Sequence, residues 1–379
     1  MNPLGTIVYL RRNAGRTLPL MGVIVLAVLL ICAIVSLINS IPLSVKTIYK
    51  YTSLMMAVSP RGDASRTPEI RKYIEQNCPV PIGHISLCRA SNTEVRSIVG
   101  RWQFAVIAFE PEDLKVMLKR MSVSSVNGRL PRSGQPETIV SEPVSRNLNL
   151  KLGDSLLSPD KADAYSPQEV KVVGIAKTKN WFMFADKDYY QANHFPPIDF
   201  IIVTAKNPAD QPAMDRWTLH RFKGNRAQVI SYLEIESQAN EMFKTLYKIL
   251  DVVIGILVIV ITTMMAMLIN IYLGQRTQEF ALLQALGYSR RALVSRVIKE
   301  TALVVIGGWI LGVLCSIGML MLVDRVLMHP NAYALDLADQ TALSYTIPVP
   351  IAIFAAALLT LWRRFRKFDP VSVVERRLV

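Results

Sequence analysis

The sequence predicts an α-helical membrane protein with four transmembrane helices and one large mixed α/β extracytoplasmic domain. The 379 residues are 51% hydrophobic and have a mean hydropathy of +0.30, more than a soluble chain of this length needs for its core. Four long runs contain no charged residue. A more polar segment, residues 43–245, connects the first run to the second. These three features together favour a multi-pass membrane protein with one large domain outside the bilayer.

The four uncharged runs cover residues 17–45, 252–275, 301–323 and 340–362. Each is longer than the ~20 residues with which a helix crosses the bilayer core. Backbone groups in lipid must be paired within the segment, so isolated apolar runs of this length predict helices rather than strands. The first run is too long for a cleaved signal peptide and has no clear cleavage site, so we expect a retained helix.

Charge predicts the orientation of these spans, since short cytoplasmic segments carry an excess of Lys and Arg. The first segment, the loop after span two and the tail are all basic, whereas the loop between spans three and four is acidic. The predicted order is a cytoplasmic segment 1–16, span one 17–42, an outer domain 43–245, span two 246–273, a cytoplasmic loop 274–300, span three 301–325, an outer loop 326–342, span four 343–362 and a cytoplasmic tail 363–379.

The outer domain has the pattern of a mixed α/β fold. Thr67 and Pro68 predict the start of a helix, and alternating runs such as 103–109 and 200–204 predict strands. A shift in composition predicts a β-rich subdomain inserted at about 121–197. From Asn225 the pattern turns helical, which predicts a stalk helix at about 225–250 that continues into span two.

Two of the four cysteines lie in the outer domain, where an oxidising compartment permits a disulfide. Cys78 and Cys88 are therefore a disulfide candidate. The sequence does not fix the separation of their Cα atoms, so the pairing stays open. Cys32 and Cys315 lie within spans and are expected to act as small apolar residues.

The sequence contains no motif that predicts catalysis, nucleotide binding or metal binding by this chain. No Gly-Lys dipeptide is present, so a phosphate-binding P-loop is excluded, and no G-x-S-x-G motif occurs. The four histidines are too widely spaced for a zinc site, and no charge lies in the middle of a span. The basic residues are not interleaved with aromatic residues as in nucleic-acid binding. We expect no catalytic residue, no metal site and no nucleic-acid partner.

The loop after span two is the most informative segment. It reads GQRTQEFALLQALGYSRRALVSRVIKE, with Phe280, Leu283 and Leu286 at helical spacing. Gly287 suits the left-handed position that ends a helix, and Ser289 suits the N-cap of the next helix. An apolar helix at the inner membrane surface predicts docking onto a partner. The alternative is a solvated basic connector.

Span three carries small residues at intervals of four: Gly308, Gly312 and Ser316. Such a stripe lets two helices approach closely, either between two chains or within one chain. Both alternatives stay open. Pro348 and Pro350 predict a kink or a late start of the helix in span four.

These segments together resemble the FtsX-type ABC transporter permeases. The signature loop is similar at Arg276, Glu279 and Ala285-Leu286-Gly287, followed by Ser289-Arg290-Arg291. The tail WRRFRKFDPVSVVERR resembles the family's ending at Asp369 and Pro370, and YLRRNAGRTLPL resembles its amphipathic start. The segments ETIVSEPVSRNLNLKLGD and VKVVGIAKT resemble a MacB-type periplasmic core. Since the chain lacks an ATPase, its layout is that of stand-alone permeases such as LolC and DevC.

The resemblance implies a coupling loop seated on a separate ATP-binding subunit, which would bind ATP and Mg. It also implies a second permease chain, identical or different, in a bacterial inner membrane, and it leaves open a periplasmic adaptor and an outer-membrane channel. ATP-driven closure would then be transmitted to the outer domain for export or extraction of a substrate. The implied coupling residues are Arg276, Glu279, Phe280, Leu283, Leu286, Gly287, Arg290 and Arg291.

Two other functions share this layout. One is an FtsX-like transmembrane signal transducer that activates an extracytoplasmic cell-wall hydrolase, although its outer domain is typically smaller. The other is lipoprotein extraction, which the sequence does not distinguish from efflux of a peptide, drug or lipid.

Overall fold

The computed structural model describes residues 14–61, 63–195, 199–222, 224 and 227–366. The helices are α1 Ala14–Ile48, α2 Thr67–Asn77, α3 Pro111–Arg120, α4 Glu142–Leu148, α5 Lys187–Ala192, α6 Gln211–Phe222, α7 Tyr232–Gln275, α8 Thr277–Ala285, α9 Arg290–Val323, α10 Gln340–Thr346 and α11 Pro348–Arg366. The strands are β1 Met56–Pro60, β2 Ile82–Ser97, β3 Gly100–Phe109, β4 Ser125–Gly128, β5 Glu137–Ser141, β6 Ser155–Leu157, β7 Val170–Lys177, β8 Met183–Asp186, β9 Phe200–Ala205 and β10 Ala227–Ile230. Asp369, Pro370 and most of segment 1–16 lie outside the described residues.

The chain divides into two compact units. Among the described residues, a helical unit comprises 14–38, 245–323 and 336–366. A sheet unit comprises residues 39–244 together with 324–335. The two units match the predicted division into a membrane part and a large outer domain.

Four helical segments of the described chain are long and apolar enough to cross a membrane. They are Thr17–Ser53, Tyr232–Gln275, Arg290–Asn331 and Gln340–Arg366. All four contain the uncharged runs of the sequence, and each extends beyond its run. The second segment is one continuous helix of 44 residues, which corresponds to roughly 66 Å at 1.5 Å per residue.

The small-residue stripe of α9 packs within the same chain. Gly308, Gly312 and Ser316 are buried in the helical unit. A Cβ atom at Gly308 would lie 3.1 Å from Ile24 of α1, and one at Gly312 would lie 2.8 Å from the Cβ of Val28. The stripe therefore lets α1 and α9 approach each other closely, so of the two predicted alternatives the structure supports packing within the subunit.

The fourth span is interrupted near its start, as its prolines predicted. The Asp339 carboxylate caps α10 by accepting hydrogen bonds from the backbone N–H groups of Thr341 and Ala342. The helix then breaks at Ile347, and α11 begins at Pro348. Ile347 itself keeps helical angles, with φ −62° and ψ −39°. The break arises because Pro348 has no N–H to donate to the carbonyl four residues earlier, so the hydrogen-bond ladder of the helix is interrupted there.

The sheet unit is built on one ten-stranded sheet in the order β10-β1-β9-β2-β3-β8-β5-β7-β4, with β6 beside β7. The long strand β2 pairs with β9 along its first half and with β3 along its second half. Neighbouring strands are antiparallel except β3 with β8 and β5 with β7. Separate apolar clusters lie on the two halves, one including Phe104 and Trp181 and the other including Met56 and Ile201.

Local sequence explains the helices that cover this sheet. Helix α3 starts with Pro111 and carries Glu112 and Asp113 in its first turn and Lys119 and Arg120 in its last turn. Proline at a first helical position and charges of these signs at the two ends favour the helix. Buried Leu114, Met117 and Leu118 then face the sheet core.

Three details of the outer domain differ from prediction. Residues 227–230 form strand β10, so the helix predicted from Asn225 begins only at Tyr232. Strands β4 to β8 fall within 121–197, but β8 pairs with β3, so this segment continues the main sheet instead of forming a separate subdomain. Cys78 and Cys88 are free thiols, and the candidate disulfide is absent.

Candidate coupling site

The site is centred on the junction between α7 and α8. Helix α7 ends at Gln275, and Arg276 has φ −99° and ψ 4°, outside helical geometry, so α8 starts in a new direction at Thr277. The Thr277 hydroxyl donates to the Gly274 carbonyl at 2.9 Å. Arg276 is only 2% exposed although it carries a full charge. A buried guanidinium needs partners for its charge and its N–H groups.

An ion-pair network supplies these partners. Arg276 Nη1 lies 2.6 Å from Glu300 Oε2, and Arg276 Nε lies 3.2 Å from Glu279 Oε2. The other oxygen of Glu300 accepts a hydrogen bond from Arg296 Nε at 3.0 Å. The Tyr272 hydroxyl lies 3.1 Å from Arg276 Nη1. Two basic and two acidic groups balance, and they link the end of α7, the start of α8 and the start of α9.

Helix α8 is also fixed to α11. Phe280 is buried, with its ring centroid 5.6 Å from that of Phe365. The Arg276 guanidinium carbon lies 5.0 Å from the centroid of the Phe280 ring, a cation–π arrangement. Arg364 donates to the Asn270 carbonyl at 2.7 Å, which joins α11 to the end of α7. The junction is thus tied to two other long helices: Arg276, which directly precedes α8, pairs with Glu300 of α9, and Phe280 of α8 packs on Phe365 of α11.

The turn after α8 has the geometry that its sequence predicted. The Tyr288 N–H donates to the Leu283 carbonyl at 3.1 Å, and the Gly287 N–H donates to the Gln284 carbonyl at 2.9 Å. This pair of bonds is the Schellman motif. Gly287 has φ +94°, where a side chain would be strained. The Ser289 hydroxyl accepts a hydrogen bond from the Ala292 N–H and caps α9.

The exposed apolar face of α8 differs from the predicted face. Phe280 points into the helical unit and Leu283 is half-buried, so neither forms a free surface. Leu282 is 63% exposed and Leu286 is 77% exposed, and these two are one helical turn apart. Tyr288 is also exposed beyond the turn. Of the three predicted apolar residues, only Leu286 is available to a partner.

The charged residues of the predicted site fall into two groups. Arg290 and Arg291 are exposed at the start of α9. Arg276 and Glu279 instead belong to the ion-pair network, with Glu279 partly exposed at its edge. Asp369 and Pro370 lie outside the part of the chain that the structure describes.

Sequence reasoning missed four residues of this site: Tyr272, Arg296, Glu300 and Phe365. Glu300 carried a usable signal, because a carboxylate directly before an uncharged run must find a partner if it is buried. No comparable signal marked Phe365, which lies in a distant span and contacts α8 only through the tertiary fold. The site therefore depends on contacts between different spans, which the hydrophobic periodicity of the sequence does not predict.

Burial shifts the pKa of two groups in the sheet unit, Asp215 and Cys88. Among the described residues, no cluster of three His, Cys, Asp or Glu side chains is arranged to hold a metal ion. Burial raises the pKa of Asp215 to about 6, although its carboxylate accepts a hydrogen bond from Gln211 Nε2 at 2.9 Å. Burial also raises the pKa of the Cys88 thiol well above its ordinary value, so this thiol stays protonated and unreactive.

The molecule is an integral membrane protein with a large domain outside the membrane. Its helical unit contains the four apolar helices, and its sheet unit forms the outer domain. Residues 17–217 match the family model of the MacB-like periplasmic core domain, and residues 247–370 match that of the FtsX-like permease C-terminal domain. The chain belongs to the FtsX/MacB-type ABC transporter permeases. No curated protein matches the chain.

Three solved structures are similar in part. The periplasmic region of MacB from Actinobacillus actinomycetemcomitans is 8% identical, with 51% of this chain and 97% of that chain covered and a TM-score of 0.28. The extracellular domain of the noncanonic ABC-type transporter YknZ from Gram-positive bacteria is 11% identical, with coverages of 47% and 100% and a TM-score of 0.23. A domain of a putative permease protein from Porphyromonas gingivalis is 10% identical, with coverages of 47% and 89% and a TM-score of 0.24.

Proposed function

We propose that this chain couples ATP hydrolysis in a separate ATP-binding subunit to motion of its outer domain. The observation that carries the proposal is the attachment of α8 to α7, α9 and α11 beside two exposed leucines. Two exposed leucines on a short helix form the kind of surface that a partner groove covers. A displacement of α8 would pass into three spans at once. Arg276 joins α8 to α7 and forms the buried ion pair with Glu300 of α9, and Phe280 packs on Phe365 of α11.

Helix α7 provides the connection toward the outer domain. It is continuous from Tyr232 to Gln275, and only Ser231 separates it from β10 of the sheet. A helix is stiff along its axis, so a movement at its end near Arg276 is carried along its length without a flexible linker. This continuity supports mechanical transmission from the loop to the sheet unit, as opposed to the opening of a polar pore.

The proposed assembly follows from this coupling. Both termini and the loop 274–300 lie in the cytoplasm of a bacterial inner membrane, and the sheet unit lies in the periplasm or outside the cell. Two ATP-binding subunits, which bind ATP and Mg, pair with two permease chains. The cargo is exported or extracted by the outer domain, with or without an adaptor and an outer-membrane channel.

The test is the ATPase activity of the complex reconstituted in lipid vesicles, measured with Leu286→Asp and Leu282→Asp. A charge on this face is expected to abolish assembly with the ATP-binding subunit while the chain stays folded. Val116→Asp is the matched control, because Val116 is an exposed apolar residue on helix α3 of the sheet unit. Normal coupled activity in both leucine variants would refute the proposal.

A further inference from the structure

A groove of about 900 Å³ lies between α9 and α11 in the helical unit. Its floor is apolar, with buried Leu361 and Phe365 and the partly exposed Leu358. Trp362 is 60% exposed and stands at its edge. The volume is in the range of sites that hold a small ligand.

The rim of this groove is basic. Arg290, Arg291, Lys299 and Arg366 all line it, and none of the described residues that line it is acidic. All four side chains are exposed, and within the described residues none of them forms a salt bridge. The Arg366 guanidinium lies 5.4 Å from the centroid of the Trp362 ring. The rim therefore concentrates unneutralised positive charge next to an apolar surface.

The positions of these cations in the sequence indicate their depth relative to the bilayer. Lys299 lies two residues before the uncharged run 301–323, and Arg366 lies four residues after Trp362, where the run 340–362 ends. Residues at these positions are at the level of lipid headgroups when the runs span the bilayer. The positive end of α9, at Arg290, lies on the same side.

We propose that this groove binds an anionic phospholipid of the inner leaflet. The phosphate lies at the part of the rim formed by Lys299 and Arg366, which are at headgroup depth, and Arg290 and Arg291 add to the positive potential of the groove. An acyl chain covers Leu358, Leu361 and the Trp362 ring. Basic pockets between transmembrane helices on the cytoplasmic side suit anionic headgroups. A zwitterionic lipid fits less well, because its ammonium group is repelled by these four cations and no described lining residue offers it a carboxylate.

The bound lipid would act on the coupling site through a shared side chain. Phe365 forms part of the groove floor and also packs against Phe280 of α8. An acyl chain over Phe365 limits the movement of this ring, so it supports the position of α8. The groove thus makes the stability of the coupling helix depend on the lipid around it.

The experiment uses the full-length chain in nanodiscs of phosphatidylcholine that contain a minor fraction of brominated lipid. Bromine quenches tryptophan fluorescence on contact, and the signal of Trp362 is the difference between wild type and Trp362→Phe. Brominated phosphatidylglycerol is compared with brominated phosphatidylcholine at the same fraction. The anionic lipid is expected to quench Trp362 more strongly. Lys299→Gln with Arg366→Gln is expected to reduce this preference by up to roughly thirtyfold, since each basic residue contributes about 1 kcal/mol.

The matched control is Lys244→Gln with Lys248→Gln, which removes the same charge from exposed positions on α7 outside the groove. This control should keep the preference for the anionic lipid. Equal quenching by the two lipids in the wild type would overturn the proposal, since it indicates ordinary lipid contact only. An unchanged preference in the double variant would overturn it as well. If the double variant does not fold, each single substitution should still lower the preference severalfold.

Discussion

Arg276 and Glu300 form a buried ion pair across two helices, with Nη1 of the arginine 2.6 Å from Oε2 of the glutamate. Both residues are 2% exposed. Removing one partner of such a pair leaves an uncompensated charge in a place without water, which costs about 3–5 kcal/mol. We expect Glu300→Ala to lower the thermal unfolding temperature of the detergent-solubilised chain strongly.

The double variant Arg276→Met with Glu300→Leu is the comparison for this prediction. It removes both charges and keeps apolar volume, so it should recover much of the lost stability. Its ATPase coupling should stay low, because α8 is no longer tied to α9. Equal destabilisation by the single and the double change would contradict the assignment of the pair as buried and compensated.

The close approach of α1 and α9 gives a second prediction. Gly312→Ala places a Cβ atom 2.8 Å from that of Val28, so the helices must separate. Overpacking of this kind costs typically about 1–3 kcal/mol. Gly318→Ala is the control on the same helix, because a Cβ atom there meets nothing within 4 Å. Thermal unfolding should show a loss for the first variant and none for the second.

The turn after α8 gives a third prediction. Gly287→Ala strains the backbone at φ +94° but meets no neighbouring atom, so it should cost about 1–2 kcal/mol. Gly287→Pro cannot adopt this φ and also removes the N–H that bonds to Gln284, so it should abolish coupling. ATPase activity of the reconstituted complex measures both. Full activity of the proline variant would show that the turn is not needed.

The buried Asp215 predicts a pH dependence of the outer domain. Its pKa is about 6 in the folded chain, above its ordinary value of 3.8, so the folded state binds the proton more tightly than the unfolded state. The stabilisation is complete below pH ~4 and is lost as pH rises through about 6, by up to about 3 kcal/mol. Asp215→Asn should reduce the difference between the free energies of unfolding measured at pH 5 and at pH 8. An unchanged pH dependence would contradict this assignment.

Local features of the loop could be predicted from sequence, and long-range features could not. Gly287 and Ser289 act through bonds to residues a few positions away, so their roles are visible in the sequence. The direction of α8 is different, because successive residues on a helix are rotated by about 100° and only packing against α11 decides which face is buried. Phe280 therefore turned inward, and Leu282 took the exposed position.

The same limit explains the outer domain. Strands 103–109 and 200–204 were predictable because their apolar residues alternate, and they correspond to β3 and β9. Residues 227–230 are a short edge strand whose partner β1 lies far away in the sequence. The pairing of β3 with β8 is likewise non-local, so composition alone suggested a separate subdomain. Sheet order depends on such contacts and is not encoded in local pattern.

In the proposed complex, the exposed leucines at α8 contact an ATP-binding subunit. The most direct measurement places a photoreactive amino acid at position 286 in living cells, with position 116 as the control, and identifies the crosslinked product by mass spectrometry. We expect an adduct of this chain with an ABC-type ATP-binding subunit at position 286 and none at position 116. A well-expressed chain that gives no such adduct at position 286, or the same adduct at both positions, would contradict it.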